Sequence, residues 1–304
     1  RIDRLGNVKD VVQVGAVLGR DFSFELLNAL LPQKIDSLER SLYKLSDAEI
    51  FFKKGLGQRR TYQFKHALIR DAAYESLLKS RRQQLHHRVA NVMEHQFQET
   101  AQTQPEIVAH HYTEADQALK AIPKWLMAGQ MASQKNATSE AIAHLQKGIS
   151  LLHNIEDEGE RSNLALDFHL TLGGTYVVSH GFPHEKVKET FDKARTIAQN
   201  SEVSPKLALV LMNLLSFYMN REDMTAHSEL TSYVKKLADH PRHGYWFELV
   251  YLQLGAGPEG LKGNLEKAIN AHERLIEIFD PSLPFPWELA PSGYIEVGSK
   301  AWAM

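Results

Sequence analysis

Apolar positions along this chain change their period twice. From Asp3 to Leu18, the residues Leu5, Val8, Val11, Val12, Ala16 and Val17 recur close to every 3.6 positions and predict a helix that Gly19 ends. Phe24 to Leu31 predicts a short apolar helix stopped by Pro32. Asp36 to Leu45, with Ile35, Leu38, Leu42 and Leu45 at helical spacing, predicts a third. The period then drops. Ile50 to Lys54 and Thr61 to Lys65 are β-rich runs, separated by a turn over Gly55 to Arg60. After Lys65 the helical period returns in Leu68, Ile69, Ala72, Ala73, Leu77 and Leu78. A further helix, Arg81 to Phe97, places Leu85, Val89, Val92 and Met93 on one face.

Three helices followed by a hairpin is the element order of a winged helix. From Pro105 onward only helices and short breaks are predicted, and they repeat. Counting from Ile122, the residues Trp125, Ala128, Gly129, Ala132, Ala141, Leu145 and Gly148 fall on the tetratricopeptide positions within a period of about 34. Small residues stand where two helices must touch, and large ones where the neighbouring unit is filled. A second unit carries Leu172, Gly173, Tyr176, Phe191 and Ala194, with about two extra residues in the turn around His180 to Pro183. A third carries Leu214, Tyr218, Ala226 and Leu230. A weaker fourth carries Leu265, Ala268, His272 and Leu275, and a helix from Trp287 begins a fifth. Pro105 to Asp116 reads as an irregular first helix with Tyr112 inward, and Gln117 to Gln134 fits two registers. Each unit alone buries little apolar surface, so the stack supplies the core. The expected fold is mainly α: a winged-helix-like domain with a small β-hairpin over residues 1–98, then a tetratricopeptide-like right-handed α-solenoid over residues 104–304.

Composition narrows the function classes. The chain has 304 residues, 43% apolar and 24% charged, with a net charge of −2. That balance gives no global electrostatic case for nucleic acid or an anionic membrane. Cysteine is absent, which removes disulfides, thiolate nucleophiles and cysteine-based zinc sites, and suits a cytoplasmic setting. The most apolar run, Leu207 to Met219, is too short to span a bilayer and contains Asn213 and Ser216. The first ten residues carry no signal-peptide pattern, and the chain reads as a piece of a longer protein.

Catalytic signatures are missing. Gly15 to Arg20 has neither the spacing nor the Lys-Ser/Thr of a phosphate-binding loop. Gly255 to Gly260 matches G-x-G-x-x-G but follows a helix and includes Pro258, so it reads as a loop. There are 15 histidines. Those in His86-His87 and His110-His111 are adjacent, so on a helix they point about 100° apart rather than at one metal. His240 and His243 could meet across a loop, without a carboxylate to complete a set. Lys79, Arg81, Arg82 and Arg88 form a basic stretch on a helix whose other face is apolar, which reads as a solvated face. One histidine differs. His66 stands at a strand-to-helix junction after Lys65, where free N–H groups and the helix dipole favour an anion.

The strings GAVLGRDFSFELLNAL (Gly15 to Leu30), FKHALIRDAAYESLLKSRRQQLHHRVA (Phe64 to Ala90) and QPEIVAHHYTEA (Gln104 to Ala115) resemble the region after the ATPase core in large bacterial signalling proteins. Those proteins join a class III adenylate/guanylate cyclase, or a protein kinase, to a STAND-type P-loop ATPase and a tetratricopeptide array. Lys65 to Ala73 is also similar to the M-H-D motif in the winged helix of STAND ATPases, where the histidine touches the β-phosphate of ADP. His66 keeps that histidine, while Ala67 stands where the motif has aspartate.

The resemblance implies a chain without catalysis or a cofactor of its own, acting as the regulatory and interaction module of a parent that uses ATP/ADP and magnesium. The implied partners are a protein or peptide on the concave face of the solenoid and the intramolecular ATPase domain. His66 is the implied nucleotide-phosphate sensor once that ATPase core is present. A second reading is a transcription regulator whose winged helix binds DNA. The third helix argues against it, because Asp36, Glu39 and Asp47 offset Arg40 and Lys44.

Overall fold

The computed structural model describes residues 8–55, 57, 60–200, 203–256, 263–280 and 282–283. Outside them lie the start of the first predicted helix, three residues of the predicted hairpin turn, the glycine-rich string from 257 onward and the helix predicted from 287. Among the described residues the protein is mainly helical, with one three-stranded antiparallel sheet. It divides into two compact units, Arg1–Lys124 and Trp125–Met304.

In the first unit, α1 (Lys9–Leu18) buries Val11, Val12, Val14, Ala16 and Val17 and stops at Gly19. There φ is 126°, a conformation that glycine alone adopts freely, and the Gly19 N–H returns to the Gly15 carbonyl at 3.2 Å. A short strand follows, β1 (Asp21–Ser23), which the apolar pattern did not reveal. Ser23 then caps α2 (Phe24–Leu30) by accepting the Leu26 N–H at 3.1 Å. α3 (Ile35–Asp47) buries Leu38, Leu42 and Leu45 and leads into β2 (Phe51–Lys54) and β3 (Thr61–Phe64).

The predicted hairpin is therefore two strands of a three-stranded sheet, with β3 in the middle and the order β1-β3-β2. Phe51 pairs with Phe64 and Phe22 with Tyr62. All four side chains are buried on one face, with ring centroids 4.7–6.3 Å apart. Edge-to-face pairs of this kind are worth about 0.5–1.5 kcal/mol each beyond their burial. Gly15 of α1 lies against the Phe22 ring, where a Cβ would come within 3.0 Å. Arg60 fastens the sheet to the helices: its guanidinium lies 3.6 Å above the Phe24 ring, donates to the Gly57 carbonyl at 2.9 Å, and pairs with Glu39.

The unit continues through α4 (Ala67–Glu75), α5 (Lys79–Gln96), α6 (Gln98–Thr103) and α7 (Pro105–Glu114). α5 buries the predicted Leu85, Val89, Val92 and Met93, and His86 as well. Tyr112 of α7 is inward, its hydroxyl bonded to Glu94, which also pairs with Lys124 at 2.7 Å. The helices α6 and α7 lie in the first compact unit.

In the second unit the consecutive helices from Thr138 to Val250 pack each on the next. After α8 (Ala118–Gln134) come α9 (Thr138–Leu151), α10 (Glu158–His180), α11 (Glu185–Gln199), α12 (Pro205–Asn220) and α13 (Met224–Leu237). α14 (Gly244–Val250) runs into a π-helical turn, Tyr251–Ala256, and α15 (Leu265–Ile278) follows. Contacts are made by large side chains entering glycine notches. A Cβ at Gly129 would sit 2.4 Å from Leu145, one at Gly148 2.3 Å from the Phe168 ring, and one at Gly173 2.6 Å from the Phe191 ring. The seven first-unit positions of the predicted repeat, from Trp125 to Gly148, are all buried. The weak fourth unit has a different register: Ala271 and Leu275 are buried, whereas Leu265 and His272 face solvent.

The same turn recurs between helices. Asp116, Asn136 and Glu222 stand at φ 57–59° after α7, α8 and α12. In each case the next N–H reaches back five residues, Gln117 to Tyr112, Ala137 to Ala132 and Asp223 to Tyr218, at 2.9–3.0 Å. This is a Schellman cap built without glycine. α12 is buried from Leu207 to Phe217 all round. Its Asn213 and Ser216 bond to the carbonyls of Leu209 and Met212, at 2.8 and 3.0 Å, within their own helix. Among the described residues no helix is long and apolar enough to cross a membrane.

Candidate functional site

His66 occupies the N-cap position of α4, with extended backbone (φ −130°, ψ 133°). β3 delivers it: the Phe64 side chain is buried in the aromatic cluster, the Lys65 N–H donates to the Ile50 carbonyl at 3.0 Å, and the chain then turns into the helix. The His66 carbonyl accepts the Ile69 N–H at 3.1 Å, while its side chain makes no capping hydrogen bond and is exposed. The imidazole and the first N–H groups of α4 therefore face solvent together, a geometry open to an anion. Lys65 does not add a free charge, because its ammonium pairs with Glu49 at 2.7 Å and lies 5.6 Å from the Phe52 ring. Leu68, the second residue of α4, is 80% exposed.

The basic stretch is the outer face of α5. Lys79, Arg81 and Arg88 are exposed, and Arg82 pairs with Glu75 at 3.1 Å and lies 5.1 Å above the Tyr74 ring. Near α3 an open groove of about 730 Å³ runs along the β2–β3 hairpin. Arg40, Lys44 and Lys53 line it together with Asp36 and Glu39, so its charge is mixed.

Adjacency within each histidine pair concealed a contact between pairs. His86 of α5 and His111 of α7 meet Nδ1 to Nδ1 at 2.8 Å, both almost fully buried. The Tyr74 hydroxyl of α4 closes the chain on His86 Nε2 at 3.0 Å. Burial lowers the His86 pKa to about 4, helped by His110 and Arg82; burial lowers that of His111 to about 3, helped by His86 and His110. Both rings are thus neutral near pH 7, and they stitch α4, α5 and α7 together. His240 and His243 stack 5.6 Å apart, and His240 Nδ1 accepts the His243 N–H at 3.2 Å. Among the described residues no three histidine or carboxylate side chains converge as a metal site.

No family model matches the chain, and no solved structure does. It is similar to an uncharacterized protein of Rhizobium meliloti (strain 1021), 26% identical over 205 residues, which cover 67% of this chain and 20% of that protein. The chain therefore spans about a fifth of the length of the relative it matches.

Proposed function

We propose that this chain is the non-catalytic regulatory and interaction module of a larger signalling protein of the STAND-ATPase type, linked to a cyclase or a kinase. In this reading the first unit is a winged-helix-like element that couples to nucleotide state, and the second is a tetratricopeptide-like solenoid that binds a protein partner. The observation that carries it is His66: an exposed imidazole at the mouth of a helix N-terminus, on a segment similar to the phosphate-sensing motif. The element order α1-β1-α2-α3-β2-β3 with β3 central supports the winged-helix assignment. The repeated Schellman turns and glycine notches support the solenoid. A relative about five times as long as the matched stretch fits a module within a larger chain.

Coupling follows from a two-state argument. A phosphate held by His66 and the α4 N-terminus in one state, and released in the other, biases the orientation of everything attached to α4. The test uses the full parent protein. His66→Ala should shift ADP retention or basal output, and deletion of residues 104–304 should uncouple output from its input. Unchanged nucleotide retention, together with unchanged regulation after the deletion, refutes the proposal. Salt-dependent retardation of a DNA duplex by the purified chain would favour the DNA-binding reading instead.

A further inference from the structure

Between α9, α10 and α11 the second unit holds an open cleft of about 310 Å³. α11 presents Lys186, Glu189 and Lys193 to it, all exposed; α10 presents His169 and Tyr176, and α9 presents Gln146. Lys186 and Lys193 are two helical turns apart, about 10 Å along the axis. Lys186 Nζ stands 5.5 Å from the Tyr176 ring centroid, and the Lys193 charge acts on His169. The two lysines therefore stand two turns apart along one wall of the cleft.

Both line the cleft with their charges unpaired. Nearby lysines are neutralised: Lys188 by Asp192 at 2.6 Å, and Lys206 by Asp167. Among the described residues neither Lys186 nor Lys193 forms an ion pair. The other groups also offer donors. Gln146 donates to the Tyr176 hydroxyl oxygen at 3.4 Å, which leaves the phenolic O–H free to donate outward. His169 Nδ1 is buried without a hydrogen-bond partner. Burial, then Lys193, lowers the His169 pKa to about 4, so the ring is neutral and does not compete with the lysines for an anion. The site offers two positive charges and a donor-rich wall, with one carboxylate, Glu189, between the lysines.

We propose that this cleft binds an acidic peptide segment, with two carboxylates about 10 Å apart seated on Lys186 and Lys193. A polyproline II segment meets that spacing, because residues i and i+3 share a side and lie about 9 Å apart. The proposal rests on the reading of the second unit as a protein-interaction module and names the chemistry of its partner.

The experiment is fluorescence anisotropy of the 304-residue chain with a labelled Glu-Pro-Pro-Glu peptide flanked by Gly-Ser, at low and moderate salt. Saturable binding should weaken about fivefold in Lys186→Ala and in Lys193→Ala, and tighten about twofold in Glu189→Gln. Lys236→Ala, an exposed lysine away from the cleft, should bind as the parent does. Absence of saturable binding overturns the proposal, as does equal loss in Lys236→Ala or equal binding of a Lys-Pro-Pro-Lys peptide. Competition by suberate at the same concentration as the peptide would make this a small-dicarboxylate site and also overturn it. If binding fails while deletion of residues 104–304 still uncouples the parent, the cleft is refuted and the module stands. If binding holds and the deletion changes nothing, the regulatory reading falls instead.

Discussion

Acidification should loosen the first unit through His86 and His111 before it affects other buried contacts there. In the folded chain both rings are neutral, with pKa values of about 4 and 3. In the unfolded chain a histidine titrates near 6.5. The unfolded state therefore binds more protons in the window between these values, and stability rises with pH across it. The contribution is complete above about pH 7 and is lost as pH falls from 6.5 through 4. At pH 5 the loss is about 2 kcal/mol for each ring that stays neutral, or roughly 2–4 kcal/mol for the pair.

The hydrogen-bond chemistry explains why the two rings resist together. One proton on His86 lets it donate to both Tyr74 and His111, so that step costs burial of charge alone. A second proton sets N–H against N–H across 2.8 Å and removes the bond. The groups facing the pair are Tyr74 on α4, Arg82 on α5 and His110 and Glu114 on α7. Tyr74 has its pKa raised, first by burial, and does not titrate in this range.

The assay is urea unfolding followed by hydrogen exchange at α5 and α7, because residues 1–124 contain no tryptophan. The wild-type midpoint should fall steeply between pH 6.5 and 5. The double variant His86→Leu with His111→Phe should flatten that dependence, and the His86 and His111 ring resonances of the wild type should not shift between pH 8 and 5. Equal slopes in both proteins, or a ring that titrates near 6.5, would refute the reasoning.

Other perturbations have equally direct outcomes. Gly148→Ala should cost about 1–3 kcal/mol by forcing a methyl against Phe168, and Phe168→Leu in the same chain should recover part of it, read from urea midpoints by tryptophan fluorescence. Glu222→Gly should raise the melting temperature, because the φ of 58° strains a non-glycine residue by about 1 kcal/mol. Arg60→Ala should cost about 2–3 kcal/mol in urea unfolding, since it removes the stack on Phe24 together with the bonds to Gly57 and Glu39. His66→Ala in the isolated chain should leave the melting curve within about 0.5 kcal/mol of wild type, because the exposed side chain makes no capping bond.

What could be read from the sequence was whatever one helix decides for itself. The apolar face of α5, the inward Tyr112 and the notches at Gly129, Gly148 and Gly173 follow from spacing within a helix or between sequence neighbours. β1 escaped because three residues are too few to express a period, and it exists only by pairing with β3, 38 or more residues away. α15 was read in the wrong register because Leu265 and Ile269, both apolar, lie on its exposed side. The same limit governs the chemistry. His66 was legible because its junction is local. The His86–His111 contact was not, because each histidine looked inert beside its own neighbour and gained meaning only when α5 met α7. Lys186 and Lys193 did carry a local signal, seven residues apart on one helix, but lysines on an exposed face are ordinary in sequence. What distinguishes them is the cleft that α11 shares with α9 and α10, and that is a property of packing that no single-helix pattern contains.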